Sequence, residues 1–326
     1  MALLTGALAP SAAALAAAVA LDLALGDPPY PAHPVRLIGA TLSLLERGLR
    51  RLGADGYIGG VLLFVALGAG WTIAWSAAIL AVSALSTPAA SALHVFLLYS
   101  LLALGDLLRH AGRVDRALVR GDLEAARSAV GWLVGRDTDR MDDGACRRAA
   151  IESLSENLTD GFVSPLFWYA IAGLPGLVLF KVVSTMDSMV GFKTPPYLRF
   201  GWCGARLDDV MNYVPARLTW LLVALAAAVL PACSARRALR VGWQQHGALP
   251  SPNSGWPEAA TAGGMQRRLV GPIWRRGQLV TDIWIGDPGD PPAESHDDFR
   301  RAARLVIGAG LLSAAVAAGA IVAGSS

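Results

Sequence analysis

The chain has 326 residues, of which 54% are hydrophobic and only 16% charged, with a formal net charge of +3. Soluble domains carry about 25% charged residues. The shortfall, with a mean hydropathy of +0.46, excludes a disordered chain, a coiled coil and a nucleic-acid binder built on a basic surface. Cys146, Cys203 and Cys233 are scattered, giving neither a disulfide framework nor zinc-ligand spacing. The apolar excess lies in long runs, and a membrane span needs about 20 such residues. In chain order the candidates are Ala2–Leu25, Tyr57–Leu85, Ala89–Gly105, Phe162–Met186, Val214–Cys233 and Leu305–Ala323. No Lys or Arg precedes Arg36, which favours a retained first span over a cleaved leader. The fourth candidate is broken by Pro165, Gly173 and Pro175 and carries Lys181. It and the fifth read either as full spans or as re-entrant helices lining a protein cavity.

The fold class is therefore all-α: a polytopic helical membrane protein with about four to six membrane segments, residues 1–326 forming one integral membrane domain. The Arg-rich stretches 26–56, 106–160 and 234–304 read as cytoplasmic, and the charge-free turn 86–88 as external. Residues 106–160 carry cytoplasmic amphipathic helices. Gly121-Asp122 is a helix stop followed by an N-cap, separating helices over Arg113–Arg120 and Leu123–Val134. After the polar break Gly135–Asp143, Ile151, Leu154 and Leu158 mark another helix. Residues 234–304 form a cytoplasmic Pro/Gly/Trp-rich region, within which 243–298 reads as ordered loops rather than core.

Polar residues concentrate between 135 and 217. Gly135-Arg136-Asp137-Thr138 comes first. On the next helix Glu152, Glu156 and Asp160 fall at i, i+4 and i+8, one face, with Asn157 beside them. Three acids on one face repel unless a cation sits among them, and magnesium takes oxygen ligands, often a carboxylate or two plus substrate phosphates. Asp187 ends an apolar run and leads to Lys193; an acid there is expensive to bury and so a functional candidate. Arg206, Asp208, Asp209, Asn212 and Arg217 follow, a mixture of acids and guanidiniums suited to a metal–phosphate site. Two outlying turns complete the set: Asp27 with His33 and Arg36, and Ser251-Pro252-Asn253 running through Trp256 to Glu258. No Walker A loop, GxGxxG, HExxH or GxSxG occurs.

These motifs, in this order, resemble the cobalamin-biosynthesis CbiB/CobD family, the adenosylcobinamide-phosphate synthases. The resemblance rests on Gly26-Asp27-Pro28 with His33-Pro34-Val35-Arg36, on Gly135-Arg136-Asp137-Thr138, and on Glu152-Ser153 through Glu156-Asn157 to Asp160-Gly161. It continues through Ser164-Pro165-Leu166-Phe167, Thr185-Met186-Asp187-Ser188-Met189, Phe200-Gly201-Trp202, Ala205-Arg206-Leu207-Asp208-Asp209, Asn212 to Leu218, Ser251 to Glu258 and Gly271-Pro272. The departures are local: Ser184 where the family commonly has Asn, and Trp274-Arg275-Arg276-Gly277 where it has a Tyr-x-Gly-like end.

The resemblance implies an inner-membrane, multi-pass amide ligase with its main polar loops cytoplasmic. It would join a propionate carboxyl of adenosylcobyric acid to aminopropanol or aminopropanol phosphate, using ATP and magnesium. Its partners would be those substrates and the bilayer, with other corrinoid-pathway enzymes as candidates and no nucleic acid. By residue type, Glu152, Glu156, Asp187, Asp208 and Asp209 are the candidate catalytic groups, and Glu152, Glu156 and Asp160 the candidate metal ligands. Arg136, Asp137, Asn157, Lys193, Arg206 and Arg217 are assigned to ATP and phosphate. Asp27, His33, Arg36, Asn212, Ser251 and Asn253 are assigned to the corrinoid or the acceptor. Two rivals stay open: a corrinoid transporter, since intramembrane acids and broken helices also mark transport paths, and a membrane scaffold for corrinoid-modifying enzymes. Internal inverted repeats, which a transporter predicts, are not evident.

Overall fold

The computed structural model describes residues 6–28 and 30–325. Helix α1 (Ala12–Leu25) begins at Ser11, whose Oγ accepts the Ala14 amide at 3.2 Å, and stops at Gly26, φ 64°. Its 14 residues rise about 21 Å at 1.5 Å each, short of a hydrocarbon core about 30 Å thick. The first expected span is thus cut short by the Pro10-Ser11 break; its residues 2–5 lie outside the described part. Helix α2 (Pro34–Arg51) is capped by His33, with proline at its first position. Helix α3 (Tyr57–Leu85) follows, and Ser86 caps α4 (Thr87–Ser100). Helix α5 (Leu104–Val119) absorbs the expected 113–120 helix; Gly121, φ 74°, ends it and Asp122 caps α6 (Leu123–Val130).

Helix α7 (Asp143–Leu158) runs through a π-helical turn, Thr159–Val163, into α8 (Ser164–Val190). Ala172 and Gly173 leave helical geometry just before Pro175, which cannot donate to the ladder. After α9 (Tyr197–Phe200), α10 (Trp202–Met211) and α11 (Tyr213–Val229) meet at a 42° bend. Among the described residues, four runs are long and apolar enough to cross a membrane: Tyr57–Leu85, Thr87–Val119, Asp143–Val190 and His296–Gly324. The bent α10–α11 pair makes a fifth if it counts as one span. The molecule is a multi-pass helical membrane protein, within the expected range of spans.

The stretch 243–298 departs from expectation. After α12 (Ala235–Gln245) it folds into α13 (Gly255–Met265), every residue of which is buried, and an antiparallel hairpin of β1 (Leu269–Arg275) and β2 (Gln278–Ile285). Small residues explain why pattern reading misses α13: Ala259, Ala260, Ala262, Gly263 and Gly264 leave no apolar stripe to count. They also let it pack closely, since a Cβ on Gly263 would clash with the Arg237 carbonyl. Helix α14 (His296–Ser325) closes the chain.

The chain folds into two compact units. Unit 1 comprises residues 1–103, 164–212 and 314–326; unit 2 comprises 104–163 and 213–313. In unit 1, Ile38, Leu42, Leu63, Leu67, Val182, Met186, Val190 and Phe200 form a buried apolar cluster. Unit 1 also holds a polar chain: His94 Nδ1 lies 3.0 Å from the Ala7 carbonyl and His94 Nε2 2.7 Å from the Tyr169 hydroxyl. Tyr169 accepts the Ser11 amide at 2.9 Å, tying the start of the described chain to α4 and α8.

Candidate active site

Two polar constellations are built, one in each unit. In unit 2 the loop before α7 carries Arg136, whose guanidinium pairs with Glu152 Oε2. Both side chains are about nine-tenths buried, at 10% and 8% exposure. The second oxygen, Glu152 Oε1, is buried with no hydrogen-bond partner. Glu258, one turn into α13, is buried as well. Burial pushes its carboxyl well above the usual range, and the charges of Glu156 and Glu152 push it further while Arg136 opposes them. Glu152, Glu156 and the Arg136 guanidinium thus all act on Glu258. Sequence reasoning singled out Glu258 as the end of a rigid turn without giving it a role; its burial is what marks it.

Glu156 sits further out on α7, exposed, and Asn157 donates to the Ser153 carbonyl at 3.0 Å. Asp160 lies in the π-helical turn. Such a turn bonds i to i+5, so the α-helical register that relates Glu152 to Glu156 gives way to the wider turn from Thr159 onward. Among the described residues no three His, Cys, Asp or Glu side chains gather closely enough to hold a metal ion.

Asp137 turns to the hairpin. Its carboxylate accepts the Arg276 amide at 3.0 Å and the Gly277 amide at 2.7 Å, and its own amide donates to the Trp274 carbonyl at 2.9 Å. Those two amides hold its carboxyl below the usual value. Asp137 therefore clamps the 135–138 loop to the hairpin tip, and Arg140 stacks over Trp274 at 4.7 Å. On α7 the neighbouring Arg148 pairs with Glu294 and lies 5.0 Å over Trp284.

The Ser251–Glu258 turn forms a second wall of unit 2. Ser251 Oγ accepts the Asn253 and Ser254 amides at 3.2 and 3.3 Å. Arg217 Nη1 reaches Asn253 Oδ1 at 3.5 Å and donates to the Tyr213 carbonyl at 2.6 Å. Its guanidinium lies 3.4 Å from the Tyr213 ring centre and 4.9 Å from that of Trp256. His246 stacks on the other partner of this group, 3.9 Å from Trp256 at 6°. Desolvation lowers the His246 pKa and the Arg217 charge lowers it further, both disfavouring the protonated ring. Two residues assigned to different ligands, Arg217 and Asn253, are thus side by side.

In unit 1 the acids gather at the end of α8 and on α10. Asp187, Asp208 and Asp209 are electrostatic neighbours, with Lys181 acting on Asp208 and Lys193 on Asp187 and Asp209. Asn212 Nδ2 donates to Asp208 Oδ2 at 3.0 Å, and Ser164 Oγ to Asn212 Oδ1. Arg206 lies 3.6 Å from Asp209. Glycines make this approach possible: a Cβ on Gly201 would overlap the Val190 carbonyl, and one on Gly191 the Asp187 carboxylate. Elsewhere in unit 1, His33 Nδ1 accepts the Val35 amide at 3.3 Å, which puts the ring proton on Nε2, 2.7 Å from Asp27 Oδ1. Tyr30 packs against the His33 ring at 5.0 Å, and Arg36 is exposed on the first turn of α2.

The family model for "CobD/Cbib protein" matches residues 15–306. This chain belongs to that family. Among its relatives, cobalamin biosynthesis protein CobD of Klebsiella pneumoniae is 41% identical over 88% of this chain and 90% of its own. CobD of a Sinorhizobium species is 42% identical over 87% and 90%, and CbiB of Salmonella arizonae 39% over 91% and 93%. No solved structure matches. The matched span of this CobD/CbiB-family chain takes in every candidate site residue in both units.

Proposed function

We propose that this CobD/CbiB-family protein is the acid–amine ligase of cobalamin biosynthesis, joining a propionate carboxyl of adenosylcobyric acid to aminopropanol or aminopropanol phosphate. The observation that carries the reading is the acid field of unit 2: Glu152 paired with Arg136, Glu258 buried in the field of Glu152 and Glu156, and Glu152 Oε1 buried and unsatisfied. A buried carboxylate oxygen without a partner is costly and suits a cation that arrives with substrate.

Amide formation from a carboxylate needs that carboxylate activated, and ATP is the co-substrate proposed to do so. Magnesium fits Glu152 and Glu156, because it takes one or two protein carboxylates and completes its shell with phosphate and water. When bound it would neutralise phosphate charge. Asp160 would contribute only from the π-helical turn. Arg136 and Arg217 in unit 2, and Lys193 and Arg206 in unit 1, are assigned to phosphate oxygens, which guanidiniums grip bidentately. Asp187, Asp208 and Asp209 are assigned to accept protons from the amine. His33, Asn253 and Arg36 are assigned to the corrinoid or acceptor, with the Val35 amide fixing the His33 tautomer, Asp27 beside its ring and Ser251 fixing the Asn253 turn. Asp137 and Asn157 support these groups through backbone contacts. The protein would sit in the bacterial inner membrane with its polar loops cytoplasmic.

Protein purified in detergent and given adenosylcobyric acid, ATP, magnesium and either acceptor should yield a product heavier by the acceptor minus water, read by mass spectrometry. Absence of product with both acceptors from folded protein would refute the ligase assignment.

A further inference from the structure

Unit 2 also holds a basic pocket that the proposed reaction does not use. It is a cavity of about 210 Å³ walled by Asp297, Arg300, Arg301 and Arg304 at the start of α14 and by Leu230 and Cys233 after α11. Pockets for drug-sized ligands run to roughly 300–1,000 Å³, so this one suits a headgroup rather than a whole organic molecule. Its charge is unbalanced. Asp297 is the one acid in the wall, it is 82% exposed, and it stands 4.0 Å from Arg300. Arg301 Nη1 donates to the Met265 carbonyl at 3.0 Å, which anchors that side chain. Burial pushes the Cys233 thiol up while the charges of Arg301 and Arg304 pull it down, so both guanidiniums bear on the pocket.

The surroundings say what kind of anion belongs there. On α11, Leu221, Leu225 and Val229 are 46%, 53% and 80% exposed, and their spacing of four puts them on one helical face. In a membrane-spanning chain an exposed apolar stripe faces acyl chains. The stripe ends beside the Leu230–Cys233 turn, and α14 packs closely against it, since a Cβ on Gly308 would lie 3.1 Å from Ala226 Cβ. Three arginines therefore line a pocket at the turn where that apolar stripe ends. Basic pockets between membrane helices recognise anionic headgroups.

We infer that this pocket binds the phosphate of an anionic phospholipid, with Arg300, Arg301 and Arg304 on the headgroup and the acyl chains along Leu221, Leu225 and Val229. Free phosphate has the same recognition chemistry, and the test separates the two sources.

The full chain in detergent is titrated separately with phosphatidylglycerol, phosphatidylcholine and inorganic phosphate, and retention is read by native mass spectrometry with thermal stabilisation alongside. The double variant Arg300→Gln/Arg304→Gln alters exposed side chains only, and Arg120→Gln removes an exposed charge elsewhere on unit 2. Phosphatidylglycerol should bind in preference to phosphatidylcholine. At about fivefold per interfacial arginine, the double variant should bind it roughly thirtyfold more weakly at low salt, with Arg120→Gln unchanged. Equal retention of the two lipids, a double variant indistinguishable from the parent, or an equal loss in Arg120→Gln would overturn the site. Inorganic phosphate that binds alone and displaces the lipid with the same arginine dependence would overturn the lipid assignment.

Discussion

A carboxyl sealed from water and set beside two other acids keeps its proton further up the pH scale, and Glu258 is in that position. Because its folded value is raised, the native state holds the proton after the unfolded chain has released it. The stability this contributes is fully present below the ordinary 4.5 and is lost as pH rises through the folded value. Thermal midpoints measured across that window should fall with pH in the parent and fall less in Glu258→Gln, which cannot ionise. On the proposed reading, a Glu258 that keeps its proton would spare Glu152 and Glu156 a third negative charge, so the same variant should shift the pH–rate profile rather than only lower kcat. An unshifted profile would leave Glu258 a packing residue. Glu156→Ala and Asp208→Ala should each lower turnover by about 10²–10⁴-fold, the usual worth of a proton-transfer or charge-stabilising group, with unchanged thermal unfolding at Glu156, which is exposed. Asp137→Asn should speed amide exchange at Arg276 and Gly277, because both amides bond its carboxylate. Glu152, Glu156, Asp208 and Asn253 could be named from the sequence as candidates, because residue type and spacing are local signals. That Asp137 would spend its oxygens on a hairpin tip was not legible there, since its partners lie 139 and 140 residues away.

At the level of elements, the long apolar runs and the cap residues were readable because their signals are local. Gly121-Asp122 and Ser86 each end or start a helix by chemistry contained within a few residues. Helix α13 was not readable, because its burial comes from small residues accepting close neighbours. The π-helical turn at Thr159–Val163 was hidden for a related reason: a register slip leaves no mark in residue types. The close approach of α8 to the 201–204 segment gives the sharpest test at this scale. Gly201→Ala would drive a Cβ into the Val190 carbonyl, and backbone on both sides cannot yield as a side chain would. Overpacking of this kind costs about 1–3 kcal/mol or more. The variant should unfold at lower temperature, while Gly135→Ala, with nothing near its Cβ position, should match the parent.

For the molecule as a whole, composition alone separated a polytopic membrane protein from every soluble class, since 16% charge over 326 residues cannot cover a soluble surface. The division into two compact units was not visible, because unit 1 and unit 2 each draw on segments far apart in the chain. Each unit has its own polar constellation: acids against Arg136 in unit 2, and three aspartates with lysines, Arg206 and Asn212 in unit 1. Both lie within the span that the family model matches. The most direct test of the account compares ATP-dependent product formation from adenosylcobyric acid and aminopropanol or its phosphate in the parent and in Glu152→Gln, with folding checked by thermal unfolding. The account predicts amide product from the parent, dependent on ATP and magnesium, and at least a hundredfold loss in a folded variant. Amide product at the parent's rate from Glu152→Gln would contradict it.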